Sequence, residues 1–309
     1  MPIDVTRFVH VNINCSNLER SKRFYERFVD LEPVTHTNPD PQDGTGFGLD
    51  TPVQWDGWIF HSPAAGDGNG AVDLLEWTLP NPGPPPYAEL SHLGIVRLVV
   101  GVPDIDAHYE RVTGAGISCM SAPTEIPLGS GNSARAYCAP DPDGTWIEFV
   151  QDDGHRLLRV DVNCSSIERS GEFYSDVLGL EVSARSQPGP VPGEAFGVDG
   201  EVEWDALLLG LPPERGSTFA VRLVEWKQPR PVGAAYGEPH HLGLYRLAML
   251  VADIDAGHEE LRRAGVECVS PPVDVALGPA SPVQSVRALL FKDPDGTCLE
   301  LIEAPRVAG

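Results

Sequence analysis

Positive charge is scarce in this 309-residue chain: 22 Lys and Arg stand against 45 Asp and Glu, a formal net charge of −23. Nucleic acid and anionic membrane surfaces would be repelled, so neither is expected as a partner. No apolar run approaches the ~20 residues of a membrane span. Nothing resembling a signal peptide precedes Val5, and a cytoplasmic protein is expected. The six cysteines (Cys15, Cys119, Cys138, Cys164, Cys268 and Cys298) lie far apart without any C-x-x-C spacing, which fits a reducing compartment. Low-complexity tracts are also lacking. The composition, 41% hydrophobic and 22% charged with 32 Gly and 30 Pro, is that of a soluble globular protein rich in turns, and it argues against a helical bundle. At roughly 150 residues per domain the length predicts two domains.

Internal repetition is the most informative feature present. Val11-Asn-Ile-Asn-Cys-Ser16 recurs as Val160-Asp-Val-Asn-Cys-Ser165, and Glu19-Arg-Ser21 with Phe24-Tyr25 recurs as Glu168-Arg-Ser170 with Phe173-Tyr174, at an offset of 149 residues. The same offset relates Glu76-Trp77 to Glu225-Trp226, His92-Leu-Gly94 to His241-Leu-Gly243, and Asp104-Ile-Asp-Ala107 to Asp253-Ile-Asp-Ala256. A small insertion raises it to 152 by Asp141-Pro-Asp-Gly-Thr145 and Asp293-Pro-Asp-Gly-Thr297. Two homologous halves therefore meet near Asp152-Asp153-Gly154, giving expected domains 1–152 and 153–309.

Each half divides again. Arg7 to Asn14 alternates as a strand does, and Ser16 with Glu19 forms an S-x-x-E pattern opening a helix whose Leu18, Ser21, Phe24 or Tyr25, and Phe28 share a face. Strand-like runs follow at 31–36, 58–62 and 72–79, separated by Gly-rich segments 43–48 and 66–70. Pro80 to Pro86 reads as a linker. Val96 to Val100 then starts a second unit, in which Asp104 caps a helix ending near Gly114 or Gly116 and strands flank an Asp143-Gly144 turn. The expected fold class is α+β: four βαβββ modules at about 6–80, 93–152, 157–228 and 242–304, forming two cup-shaped mixed-sheet domains.

A module opening with His10-Val-Asn-Ile-Asn-Cys-Ser-Asn-Leu-Glu-Arg-Ser and Phe24-Tyr25, and another closing with Asp141-Pro-Asp-Gly-Thr-Trp-Ile-Glu148, resemble the vicinal oxygen chelate superfamily of glyoxalase I, bleomycin-resistance proteins and extradiol dioxygenases. The resemblance spans nearly the whole chain. It implies that modules pair into open cups whose metal ligands come from the first and last strands. By spacing from the helix start, the first-strand positions are His10, Arg97, Arg159 and Arg246. The last-strand position is Glu148, to which Glu300, Glu76 and Glu225 align.

Three arginines at ligand positions depart from that pattern, because a guanidinium has no lone pair to donate and stays protonated. The first cup, expected from modules one and two, would hold His10, Glu76, Arg97 and Glu148, with a sum of −1 when His10 is neutral. Such a cup favours a protonated histidine or a bound cation. The other cup would hold Arg159, Arg246, Glu225 and Glu300, self-neutralised and degenerate. Three readings of the first cup stand open. It is an inherited structural ion-pair network, making the protein a metabolite or drug binder of the bleomycin-resistance kind. It is a metal-free lyase, isomerase or cyclase-type site acting on an oxygenated metabolite, with His10 as acid or base and Arg97 stabilising an enolate or carboxylate oxygen. Or it is a dioxygenase-like or glyoxalase-like metal site of His10, Glu76 and Glu148. The second is the leading expectation: an enzyme without a cofactor, a divalent metal in the first domain being the alternative.

Asn12, Trp58, Phe60, His61 and Trp146 are the expected substrate contacts, although a strand histidine such as His61 is commonly just solvated. His92 and His241, at equivalent places, read as structural hydrogen-bonding residues. Segment 66–70 reads as a hairpin loop, lacking the helix and Lys-Ser/Thr pair of a phosphate loop. The duplicated Cys15/Cys164 and Cys119/Cys268 pairs read as small core residues. A small-molecule ligand is expected, and a homodimer stays open.

Overall fold

In a computed structural model the described residues are 2–63, 70–129 and 132–303; positions 66–69 of the expected Gly-rich hairpin lie outside them. Module one consists of β1 (Val5–Asn14), α1 (Leu18–Phe24), β2 (Glu32–Thr37), β3 (Gln54–His61) and β4 (Val72–Leu79). Module two follows with β5 (Gly94–Val102), α2 (Ile105–Gly114), β6 (Thr124–Gly129), β7 (Asn132–Pro140) and β8 (Trp146–Gln151). Module three has β9 (Arg156–Asn163), α3 (Ile167–Glu172), β10 (Glu181–Ser186), β11 (Val191–Pro192), β12 (Glu201–Gly210) and β13 (Ala220–Gln228). Module four has β14 (Gly243–Val251), α4 (Ile254–Arg263), β15 (Val273–Ala276), β16 (Ser285–Lys292) and β17 (Cys298–Glu303). The α+β modules and their order are as the sequence predicts. Among the described residues, no helix is long and apolar enough to cross a membrane.

The pairing of modules differs from the expectation. One curled sheet runs β15-β16-β17-β14-β1-β4-β3-β2, joining module four to module one, and the other runs β10-β12-β13-β9-β5-β8-β7-β6, joining module three to module two. First strands meet antiparallel in both, β1 against β14 and β5 against β9. Connection length accounts for this. Only residues 152–155 separate β8 from β9, which flank β5 about 10 Å apart, whereas residues 80–93 and 229–242 are long enough to carry the chain from one sheet to the other.

Those two linkers run beside each other. Gly83 N donates to His240 O (2.8 Å) and Leu93 N to Val232 O (2.9 Å). Where they meet, His92, Tyr87, Tyr236 and His241 form a continuous stack with centroid spacings of 3.8, 3.8 and 3.7 Å. Asn14 Nδ2 ties one linker to sheet one through Pro239 O and His241 O, and Asn163 Nδ2 ties the other to sheet two through Leu90 O and His92 O.

The repeated sequence motifs prove to be contact partners. Asp143, in the turn between β7 and β8, accepts from Ser16 N (3.0 Å), Ser16 Oγ and Arg20 Nη2, while Tyr25 OH donates to Asp141 at 3.0 Å. Asp295 and Asp293 repeat this with Ser165, Arg169 and Tyr174. Each half is thus clamped internally, helix to turn, although its modules belong to different sheets. With Ser16 so engaged, Asn17 caps α1 instead, accepting from Arg20 N at 2.9 Å, so the expected S-x-x-E capping box does not form.

One large apolar core joins the inner strands of both sheets to all four helices. Cys15 and Cys164 lie within it as small buried residues, and all six thiols are free. His108 on α2 bridges modules one and two through this core: Nε2 meets Phe28 O at 2.7 Å and Nδ1 meets Tyr137 OH at 2.6 Å. Burial, against the pull of the Phe28 carbonyl, pushes its pKa down to about 4. A histidine held neutral in the fold takes up a proton more readily when unfolded, so its contribution is lost as pH falls below the unfolded value near 6.5. Asp141 and Asp293, pushed up to about 6 mainly by burial, act with the opposite sign, so the histidine must be isolated by comparison. Urea melts of wild type and His108→Gln should show the stability difference moving against wild type by about 2 kcal/mol between pH 7 and pH 5. A difference independent of pH would mean that His108 is not held neutral.

Candidate active site

Alternation along the strands decides which charged residues enter the cups. In β4, Val72 and Leu74 pack into the large core, whereas Leu75 and Trp77 belong to a separate apolar cluster on the other face with Phe47, Trp55, Tyr236, Tyr245 and Cys298. Asp73 shares the face of Leu75 and Trp77. Glu76, three residues on, lies on the helix side, where its Oε2 accepts from Leu18 N at 2.7 Å at the start of α1. Glu225 does the same for Ile167 N at 2.9 Å. The last-strand alignment therefore fails in modules one and three: Glu76 and Glu225 are helix anchors, and the cup positions belong to Asp73 and, at the 149-residue offset, Arg222.

The cup of modules one and four brings together His10, Asn12, Asp73, Arg246 and Glu300. Arg246 Nε lies 2.7 Å from Glu300 Oε2 and its Nη2 3.0 Å from Asp73 Oδ2. The same two oxygens face His10 Nε2, at 3.5 and 3.7 Å. Asn12 Nδ2 donates to Asp73 O at 3.1 Å. Three buried polar atoms, His10 Nε2, Asn12 Oδ1 and Arg246 Nη1, have no hydrogen-bond partner. Native proteins rarely leave such atoms unpaired, and a cluster of them points to a ligand. The two carboxylates are driven apart. Burial opposes ionisation of Glu300, but Arg246 and His10 outweigh it and hold the carboxyl down at about 2. At Asp73 burial dominates over His10 and Arg246, and the pKa rises.

The remaining expected site residues lie elsewhere. Arg97 and Glu148 are together, 2.7 Å apart, but in the cup of modules two and three. Trp58 packs against the helix-side core with His36 stacked on it at 4.6 Å and Lys22 above its ring at 4.3 Å, and Phe60 is buried in that core. His61 is exposed at the end of β3. Trp146 belongs to the second cup and donates from Nε1 to Ala88 O at 3.3 Å. Of the expected substrate contacts, only Asn12 joins His10. The aromatic wall there is Phe47, Trp55 and Trp77, with Phe47 edge-on to both indoles at 5.6 Å. The parity of β4 could have signalled Asp73, since a lone charge in an apolar strand on the face of Trp77 must enter the cup. A cavity of about 680 Å³ lies outside both cups, beside α1, with Phe24, Phe28 and Pro142 in its wall.

A divalent metal does not fit these residues. In the cup with His10, the guanidinium of Arg246 occupies the fourth ligand position, has no lone pair to give, and sets its own positive charge against Glu300 Oε2 and Asp73 Oδ2, where a cation would sit. The other cup carries three guanidiniums, those of Arg97, Arg159 and Arg222.

Comparison with solved structures shows the same fold. Glyoxalase I from Zea mays is 18% identical, with a TM-score of 0.68 over 96% of this chain and 92% of its own. A putative dioxygenase from Bacillus subtilis is 12% identical, with a TM-score of 0.60 over 97% of this chain and 86% of its own. A search among curated proteins found no match. The family model described as Glyoxalase/Bleomycin resistance protein/Dioxygenase superfamily matches residues 7–149 and again 156–301. On that double match, covering nearly the whole chain, the protein belongs to the glyoxalase/bleomycin resistance protein/dioxygenase superfamily.

Proposed function

We propose that the cup of modules one and four is the active site of a metal-independent enzyme acting on a small oxygenated metabolite by lyase, isomerase or cyclase-type chemistry. The observation that carries this reading is the set of unpartnered buried atoms, His10 Nε2, Asn12 Oδ1 and Arg246 Nη1. They supply a proton carrier, an acceptor for a substrate hydroxyl and a donor for a carbonyl oxygen. His10 Nε2 takes the proton from the carbon beside the carbonyl, while the Arg246 N–H stabilises the enolate oxygen formed. In an α-hydroxy carbonyl compound the hydroxyl proton then passes to the enolate oxygen while His10 returns its own proton to the former carbonyl carbon; in an elimination His10 gives its proton to the oxygen departing from the next carbon. Glu300, ionised throughout, steadies the imidazolium. Arg246 takes the part expected of Arg97, its equivalent at the 149-residue offset.

The test is isotope exchange. Small α-hydroxy and α-keto carbonyl compounds incubated with the protein in D2O should lose C–H signal by NMR, and His10→Gln should abolish the loss. A binding protein of the bleomycin-resistance kind is the second reading, favoured by the Phe47–Trp55–Trp77 wall. Saturable binding to these compounds without exchange would establish it instead.

A further inference from the structure

The second cup differs from the first in charge. At the 149-residue offset Arg159 replaces His10, Asp161 replaces Asn12 and Arg222 replaces Asp73, while Arg246 corresponds to Arg97. Arg97 Nη1 lies 2.7 Å from Glu148 Oε2 and its Nη2 2.6 Å from Asp161 Oδ2. Arg159 reaches both carboxylates, Glu148 Oε1 and Asp161 Oδ1, at 3.1 Å each. Arg222 grips Asp161 through Nε (3.0 Å) and Nη2. Three guanidiniums face two carboxylates, an excess of +1. The thiol of Cys138, pushed up to about 12 by burial, stays neutral and does not offset it.

The excess is buried. Side-chain exposure is 1% for Arg97, 0% for Asp161 and 2% for Glu148, and 11% for Arg159 and for Arg222. An uncompensated charge at that depth is costly unless a counter-ion joins it. Burial and the adjacent Arg159 and Arg97 pull Arg222 below its ordinary pKa, although Asp161 opposes them. A donor is also left over: Arg159 and Arg222 spend Nε and Nη2 on Asp161 and Glu148, while Arg97 Nε is buried without a partner. A cavity with a mixed polar and apolar wall lies beside Phe196. Phe196, over whose ring Arg97 sits at 5.9 Å, lines this cavity of about 320 Å³ with Val191, Ala195 and Pro127.

We propose that the second cup is a binding site for a small organic monocarboxylate, whose charge completes the buried arginine cluster and whose carbon body lies against Phe196 in the adjoining cavity. Glu125 and Glu194 in the cavity wall disfavour a second negative charge, so a monoanion is preferred to a dianion. The planar carboxylate matches the paired N–H groups of a guanidinium better than a spherical halide does. This inference is independent of the enzymatic reading, since it concerns residues that no proton transfer at His10 uses.

Isothermal titration of the full chain with sodium benzoate, at ionic strength held constant with sodium chloride, tests it. One equivalent should bind in wild type and in His10→Ala. Arg222→Met, which brings the cluster to two positive and two negative charges, should fold as well as wild type in urea and bind benzoate at least tenfold more weakly. Benzyl alcohol and phthalate should bind more weakly than benzoate. Absence of benzoate binding, equal binding of benzyl alcohol, unchanged affinity in Arg222→Met, or loss of the site in His10→Ala would each overturn the proposal.

Discussion

Arg246→Leu is expected to lose about 3–5 kcal/mol of stability, because it strands Asp73 and Glu300 in a site where each is about 5% exposed. Urea titration measures the loss, and a rescue identifies its cause. Adding Asp73→Asn and Glu300→Gln removes both stranded charges, so the triple variant should recover most of the stability. If it stays as unstable as the single variant, the loss comes from packing of the arginine stem rather than charge. Equal stability of wild type and Arg246→Leu would mean that the carboxylates find water and that the cup opens readily to solvent.

For the proposed chemistry, His10→Gln should lower kcat by about 10²–10⁴-fold with little change in substrate binding, the effect of removing a general acid or base. Arg246 does not take over, since a guanidinium is not a proton carrier near neutral pH. Glu76→Gln is the matched control. Its carboxylate lies across the sheet from the cup, so kcat should stay within about twofold while stability falls by about 1 kcal/mol through the weakened anchor at Leu18 N. A comparable fall in kcat for both variants would remove His10 from its assigned role.

Much of the fold was legible because the repeats are long and their motifs touch. Asp143 contacting Ser16 and Arg20, and Asp295 contacting Ser165 and Arg169, explain why the same words occur in both halves. Module pairing was harder, since β1 has an edge that could equally accept β5 or β14; what distinguishes them is connection length, four residues between β8 and β9 against fourteen in each linker. The site was half legible. His10 and Asn12 follow from the strand alternation, but β4 contains two acids three residues apart, Asp73 and Glu76, and period 2 places them on opposite faces. Choosing Glu76 by its likeness to Glu148 exchanged a helix anchor for a cup residue. Strand β6 escaped notice because Thr124–Gly129 has neither strong alternation nor branched residues beyond Thr124 and Ile126.

The exchange of modules between sheets bears on how such a chain diverges. Each cup has its own lining residues, drawn from one module of each half, so a substitution at a lining position alters one cup and leaves its twin unchanged. The helix-to-turn clamps, by contrast, stay within a half and are indifferent to which cup changes. Binding specificity can therefore drift separately at two addresses inside one cooperative framework. His10 facing Asp73 in one cup, against Arg159 facing Asp161 and Arg222 in the other, is what that independence looks like after duplication.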